Sequence, residues 1–212
     1  MTNLLRKRFR YKFFNATIIL TAINVLIYIL TKLSPNLRYI LAMNPQTVLY
    51  HHMYWQLVTS MFVHANLQHL FFNMFGLLMF GINVEKSMGS KEFLLFYFVC
   101  GILSTALSLG CYVLTSQYHI FLMGASGALF SVLFAFAVIF PTVRVFIFGV
   151  IPVPGPILIV IYTIIELGSQ FLGIGGNIAH MTHLFGFAAA WAYFLVRIGV
   201  NPITVWKNVF RH

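Results

Sequence analysis

Aspartate is absent from this 212-residue sequence, and the only acidic side chains are Glu85, Glu92 and Glu166. Charged residues of either sign make up 8%, against roughly 25% in a soluble domain, whose surface must face water. So little charge cannot cover a water-facing surface, which excludes an ordinary soluble fold. With 60% hydrophobic residues and a mean hydropathy of +0.91, most of the exterior has lipid as its solvent. Polar, Gly/Ser-rich and Pro-rich linkers are lacking too, as are internal repeats, so residues 1–212 are expected to form one membrane domain. The two cysteines, Cys100 and Cys111, share one apolar run and read as packing residues, not as a disulfide framework.

The formal net charge of +10 could suggest a nucleic-acid partner, but phosphate-tracking residues would line one face of a fold. Here the basic residues gather at the edges of apolar runs, so no nucleic acid is expected. Six runs are long enough to propose helical spans: Phe13 to Leu33, Leu67 to Val84, Phe93 to Leu114, Gly124 to Phe140, Pro156 to Phe171 and Ile178 to Ile198. This gives an all-α, polytopic membrane protein with a basic segment (1–12), a six-span core (13–198) and a tail (199–212). With the N-terminus inside, Arg6, Lys7, Arg8, Arg10, Lys12, Lys86, Lys91, Arg144, Arg197, Lys207 and Arg211 are cytoplasmic, leaving only Lys32 and Arg38 outside. Both termini are therefore expected on the cytoplasmic side. The long segment after the first span then faces outward, and its run His51 to Trp55 suits the headgroup zone. Composition allows either a membrane-embedded loop or a plain outer loop.

Polar groups inside a bilayer need partners or a water-filled cavity. His69 and Asn73, four residues apart, share a face of the second span. Gly124-Ala125-Ser126-Gly127 opens the fourth, and His180 and His183 lie in the sixth. A serine flanked by glycines at a helix start has free N–H groups beside it for an oxyanion. It still needs a base within about 2.6–3.2 Å, which either histidine could supply, with His69 and Asn73 as further oxyanion donors. These are the parts of a serine hydrolase. Without aspartate, and with Glu85 and Glu92 near cytoplasmic ends, a Ser-His dyad is the expected arrangement. Each piece also has a structural reading. Small residues suit close helix packing in lipid, either histidine could be a hydrogen-bonded packing residue, Glu85 is expected to anchor a loop, and Glu166 reads as a solvated span end. No H-E-x-x-H spacing appears, so neither metal nor cofactor is expected. Gly127 with Ser131, and Gly186 with Ala190, offer four-residue small spacing where the fourth and sixth spans should meet, and Phe194 is expected to face lipid.

Taken together, these motifs resemble those of the rhomboid intramembrane serine proteases. His64-Ala-Asn-Leu-Gln-His69-Leu-Phe-Phe-Asn73, continuing to Gly81, Glu85 and Gly89, is similar to that family's second-helix motif. Gly124-Ala-Ser126-Gly127 resembles its nucleophile motif, and His183-Leu-Phe-Gly186 its sixth-helix motif. The resemblance implies a six-helix bundle in the lipid bilayer that cleaves transmembrane protein substrates. It implies Ser126 as nucleophile, His183 as base, an oxyanion hole from Asn73, His69 and the Ser126 N–H, and Phe130 stacked on the histidine. Three positions depart from the family pattern: Gln56 stands where Trp-Arg is common, Ala190 replaces a glycine, and His180 competes with His183. Two rival expectations are a catalytically silent member that binds membrane clients and a small transporter with a His/Glu proton relay. The small size, with no transit peptide or extra domain evident, points to a bacterial plasma membrane, an organelle being the alternative.

Overall fold

The first apolar run becomes α1 (Ala16–Leu33), which starts after Asn15, a residue in the left-handed region at φ 58°. The computed structural model describes residues 6–7, 9–147, 149–172 and 177–211; Arg8 and His212 lie outside them. The free N–H groups at the start of α1 find no cap in their own sequence. Instead Ala16 and Thr17 donate to the two oxygens of Glu85 at 2.6 and 2.8 Å, and the Ser90 hydroxyl also donates to that carboxylate. A negative charge at a helix N-terminus satisfies the orphan donors and the dipole together. Glu85 thus anchors another helix as well as its own junction.

The polar segment that follows folds into short helices. These are α2 (Pro35–Leu41), α3 (Pro45–Tyr50) and α4 (Gln56–Thr59), with a 3-10 turn over Ser60–Phe62. Proline at the first position starts α2 and α3, and Asn44 caps α3 by accepting from the Thr47 N–H. Gln56, fully buried, holds the segment together. Its Oε1 accepts from the Asn44 N–H at 3.1 Å and the Thr47 hydroxyl at 2.7 Å, and its Nε2 donates to the carbonyls of Tyr39 and Ile40. An amide that both donates and accepts can tie two strands of loop that a cation, donor only, could not tie in this way.

α5 (Leu67–Gly76), a π turn (Leu77–Gly81) and α6 (Ile82–Met88) run on as one helix, capped at its start by Asn66. Phe71, Phe72 and Phe75 project from it, as expected for a lipid-facing edge. After Gly89, α7 (Ser90–Leu114) carries the core, with Phe93, Phe96, Tyr97 and Cys100 fully buried. Cys100 and Cys111 are both free thiols. α8 (Ser126–Ile139) is wrapped by protein along its length, as every residue from Ser131 to Val138 is buried. The long polar connection was expected, but not the antiparallel hairpin of β1 (Arg144–Ile147) and β2 (Ile151–Pro154) that leads into α9 (Gly155–Leu172). α10 (Asn177–Tyr193) continues through a π turn (Phe194–Ile198), and α11 (Pro202–Val209) follows with Trp206 donating to the Ala137 carbonyl at 2.9 Å.

Among the described residues, four helical stretches are long and apolar enough to cross a membrane: Ala16–Leu33, Leu67–Met88, Ser90–Leu114 and His180–Ile198. Ser126–Ile139 and Gly155–Gln170 are apolar but shorter. A 14-residue helix rises only about 21 Å, short of a hydrocarbon core of about 30 Å, so at least one end of α8 lies below a membrane surface. Its polar end is the one carrying Ser126. Phe194 corrects one expectation: it is 3% exposed and edge-on to Phe96, because it continues the buried face of α10 that carries Phe187 and Ala190. The neighbouring Glu92 accepts from the Tyr193 hydroxyl at 2.6 Å and from both Nε and a terminal nitrogen of Arg197 at 2.9 Å, joining α7 to the end of α10.

Candidate active site

α8 and α10 meet through small residues. The Ser131 hydroxyl donates to the carbonyls of Gly127 at 3.0 Å and Gly186 at 2.8 Å. A Cβ built on Gly186 would collide with the Gly127 carbonyl oxygen, and one on Gly127 with the Ser104 hydroxyl. Only glycine lets these backbones approach so closely. On the other side of the crossing, the Ser104 hydroxyl donates to the Thr182 carbonyl at 2.7 Å, fixing α10 next to His183.

The segment entering α8 is fixed as firmly. Met43 and Leu122 exchange N–H to carbonyl bonds at 3.0 and 2.8 Å, and the Gly124 N–H donates to the Ser60 carbonyl at 2.9 Å. Gly124 has φ +128°, and a side chain there would strike the His69 ring at 2.7 Å. Ser126 therefore stands at the first position of α8, where the N–H groups of the first turn have no intrahelical acceptor.

A cavity of about 640 Å³ opens beside it, and Ser126, His183, His69 and Asn73 all line it. All four residues expected at a site thus share one space. Its remaining wall is apolar and comes from α5, α8, α9 and the hairpin, including Phe75, Leu133, Phe146 and Leu158. Asn73 donates through Nδ2 to the His69 carbonyl at 2.8 Å, which leaves its second amide proton for a ligand. His69 packs edge-on to His64, with ring centroids 5.0 Å apart. His64 lies just outside the span, and burial, then the neighbouring His69, lowers its pKa from 6.5 to about 4, so it is neutral near pH 7. No hydrogen bond links Ser126 to His183 among the described residues. Such bonds are commonly long until substrate is bound.

Phe130 lies flat on His183, with centroids 4.0 Å apart and planes 8° from parallel. The other contact of His183 was not foreseen. Its Nδ1 is 2.9 Å from Oε1 of Glu166, and Nδ1 of His180 bonds the second oxygen of the same carboxylate. Glu166 is 6% exposed. The expectation of a solvated span end is therefore wrong. The sequence held the signal, since an ionisable residue within an apolar span marks a functional site by default. An ionised carboxylate only accepts, so both imidazoles must carry their proton on Nδ1. In the neutral ring Nε2 is then the basic nitrogen, and it has no hydrogen-bond partner among the described residues. His180 does not line the cavity. Glu166, His180 and His183 also form a set of three potential metal ligands, one atom from each within 4.8 Å of the others. Both Nδ1 atoms and both carboxylate oxygens of this set are engaged in the two hydrogen bonds.

The fold and site define a polytopic helical membrane protein with a serine and a histidine facing one cavity between its helices. The Rhomboid domain family model matches residues 51–199, and the chain belongs to the rhomboid family. It is 32% identical over 135 residues, 63% of its length, to "Putative rhomboid protease YdcA" of Bacillus subtilis (strain 168). It is 36% identical over 101 residues, 47% of its length, to "Rhomboid protein 1, mitochondrial" of Saccharomyces cerevisiae. Over 75 residues, 35% of its length, it is 40% identical to "RHOMBOID-like protein 6, mitochondrial" of Arabidopsis thaliana. The aligned regions span 62%, 29% and 23% of those three proteins, less than two thirds of each.

Proposed function

We propose that the protein is an intramembrane serine endopeptidase that cleaves transmembrane protein substrates through an acyl-enzyme, without cofactor or metal. The observation that carries this reading is the convergence, on one cavity, of a helix-start serine and a histidine whose Nδ1 is held by a buried carboxylate. In the first step Ser126 Oγ attacks the peptide carbonyl while its proton passes to His183 Nε2. The charge that develops on the carbonyl oxygen meets the first-turn N–H groups of α8, the Asn73 amide and His69. Collapse of the tetrahedral species expels the amine, which takes the proton back from His183. Water, activated by the same histidine, then hydrolyses the ester. The apolar wall of the cavity suits a substrate that arrives from lipid. In this reading both termini are cytoplasmic and the Ser126 end of α8 opens outward, as the distribution of basic residues supports.

A fluorophosphonate probe tests the proposal on purified protein in detergent. The wild type should be labelled covalently, and Ser126→Ala should not. An unlabelled wild type, or equal labelling of both, would overturn the proposal; the first result would favour a catalytically silent client-binding member.

A further inference from the structure

We infer that Glu166 is a positioning residue for the base, so that the centre operates as a Ser-His-Glu set drawn from α8, α10 and α9 instead of an isolated dyad. The inference rests on the protease reading above. Stacking on Phe130 fixes the plane of the His183 ring. It does not fix which way round the ring lies, because a half-turn about χ2 leaves the stacked faces unchanged while moving both nitrogens. The hydrogen bond from Nδ1 to Glu166 separates those two orientations and sets the tautomer. In the orientation held by Glu166, Nδ1 is engaged and Nε2 is the nitrogen left to act as base.

Proton accounting follows. During attack the Oγ–carbon bond forms, the carbonyl π pair moves to oxygen, and the Ser126 proton moves to Nε2. The Nδ1 proton stays on His183, and Glu166 stays ionised beside the imidazolium, which it stabilises. The ionisable groups around His183 are Glu166 and Tyr162 from α9, His180 from α10 and His69 from α5. Among them only Glu166 brings a negative charge to the imidazolium. His180 has a role in this arrangement as well: by holding the second oxygen it orients the carboxylate. A carboxylate buried within a membrane span is costly unless paired, and both of its oxygens are engaged.

The test compares full-length wild type, Glu166→Gln, Glu166→Asp and Glu166→Asn in liposomes, using a membrane-embedded fluorogenic substrate and the rate of fluorophosphonate labelling. Glutamine keeps the shape and one acceptor but lacks the charge. It should lower kcat by about 10²-fold or more and leave KM within about threefold. Aspartate should exceed asparagine in kcat by at least about tenfold, a comparison at equal length that holds even if Glu166→Gln fails to fold. Wild-type kcat in Glu166→Gln, or equal rates for aspartate and asparagine, would overturn the inference and leave the protease reading intact. A wild type that neither cleaves nor labels would overturn both.

Discussion

Replacing Gly186 tests the α8–α10 crossing directly, because at this position the obstacle is backbone. A Cβ there would fall well inside contact with the Gly127 carbonyl oxygen, with the Gly127 carbonyl carbon at 3.2 Å and Phe130 Cβ at 3.3 Å. No side-chain rotation relieves a clash with a carbonyl, so α10 must retreat by roughly 0.5–1 Å. Overpacking of this kind costs about 1–3 kcal/mol. The same retreat stretches the 2.8 Å bond from Ser131 to the Gly186 carbonyl, a loss of about 1 kcal/mol. A total of about 2–4 kcal/mol should lower the unfolding midpoint of Gly186→Val by several degrees. Because His183 is one turn away, a misplacement near 1 Å should also cut turnover by up to about 10²-fold. Gly186→Ala should show a milder form of both effects. Leu195→Val, at an exposed position of the same helical stretch, is the control and should resemble wild type. Thermal unfolding in detergent and cleavage of a fluorogenic membrane substrate read the two effects. Wild-type midpoint and turnover in Gly186→Val would refute the proposed contact.

Among the remaining predictions, His183→Ala should abolish cleavage while His180→Ala retains part of it, since only His183 lines the cavity; the reverse pattern in the same assay would reassign the base. Asn73→Ala should lower kcat by less than the 10²–10³-fold typical of a lost oxyanion donor, because His69 and backbone N–H groups share that role, with KM nearly unchanged. Gln56→Ala removes the amide that links the Asn44 N–H and the Thr47 hydroxyl to the Tyr39 and Ile40 carbonyls, so limited proteolysis should cut residues 34–66 faster than in wild type. His64 has a depressed folded-state pKa, so the unfolded chain binds its proton first on acidification. Its contribution is complete above about pH 6.5 and is lost as pH falls towards 4, by at most about 3 kcal/mol. His64→Phe should flatten the unfolding midpoint across that window.

Hydropathy made the apolar helices legible, and polar residues within them singled out Ser126, His69, Asn73 and the pair His180 and His183. The family resemblance, not the spacing, chose His183, and the fold brings the four expected residues to one cavity. Those signals are local: a period, a cap, a small residue at a helix start. What the sequence did not yield depends on contacts across the fold. Glu166 was dismissed because its position near the end of an apolar run suggested water, whereas α10 brings two imidazoles against it. Phe194 was placed towards lipid although it stands four residues after Ala190 and seven after Phe187, on the face of α10 that the structure buries. The hairpin was hidden because each strand has only four residues and Pro152 and Pro154 weaken the second. Gln56 could be recognised as a departure from the family pattern, but the hydrogen bonds of its side chain depend on where the rest of the loop lies.

The carboxylate that caps α1 also has a consequence in time. Ala16 and Glu85 are 69 residues apart in the chain, so at about 5–20 residues per second a ribosome needs roughly 3–14 s to travel from one to the other. Throughout that interval the first helix exists while its cap has not been made. Its leading N–H groups must therefore rely on water or lipid headgroups during insertion, and exchange them for Glu85 once the junction before α7 has emerged. The final seating of the first helix is in this sense a late event of biogenesis, set by a residue in the middle of the chain.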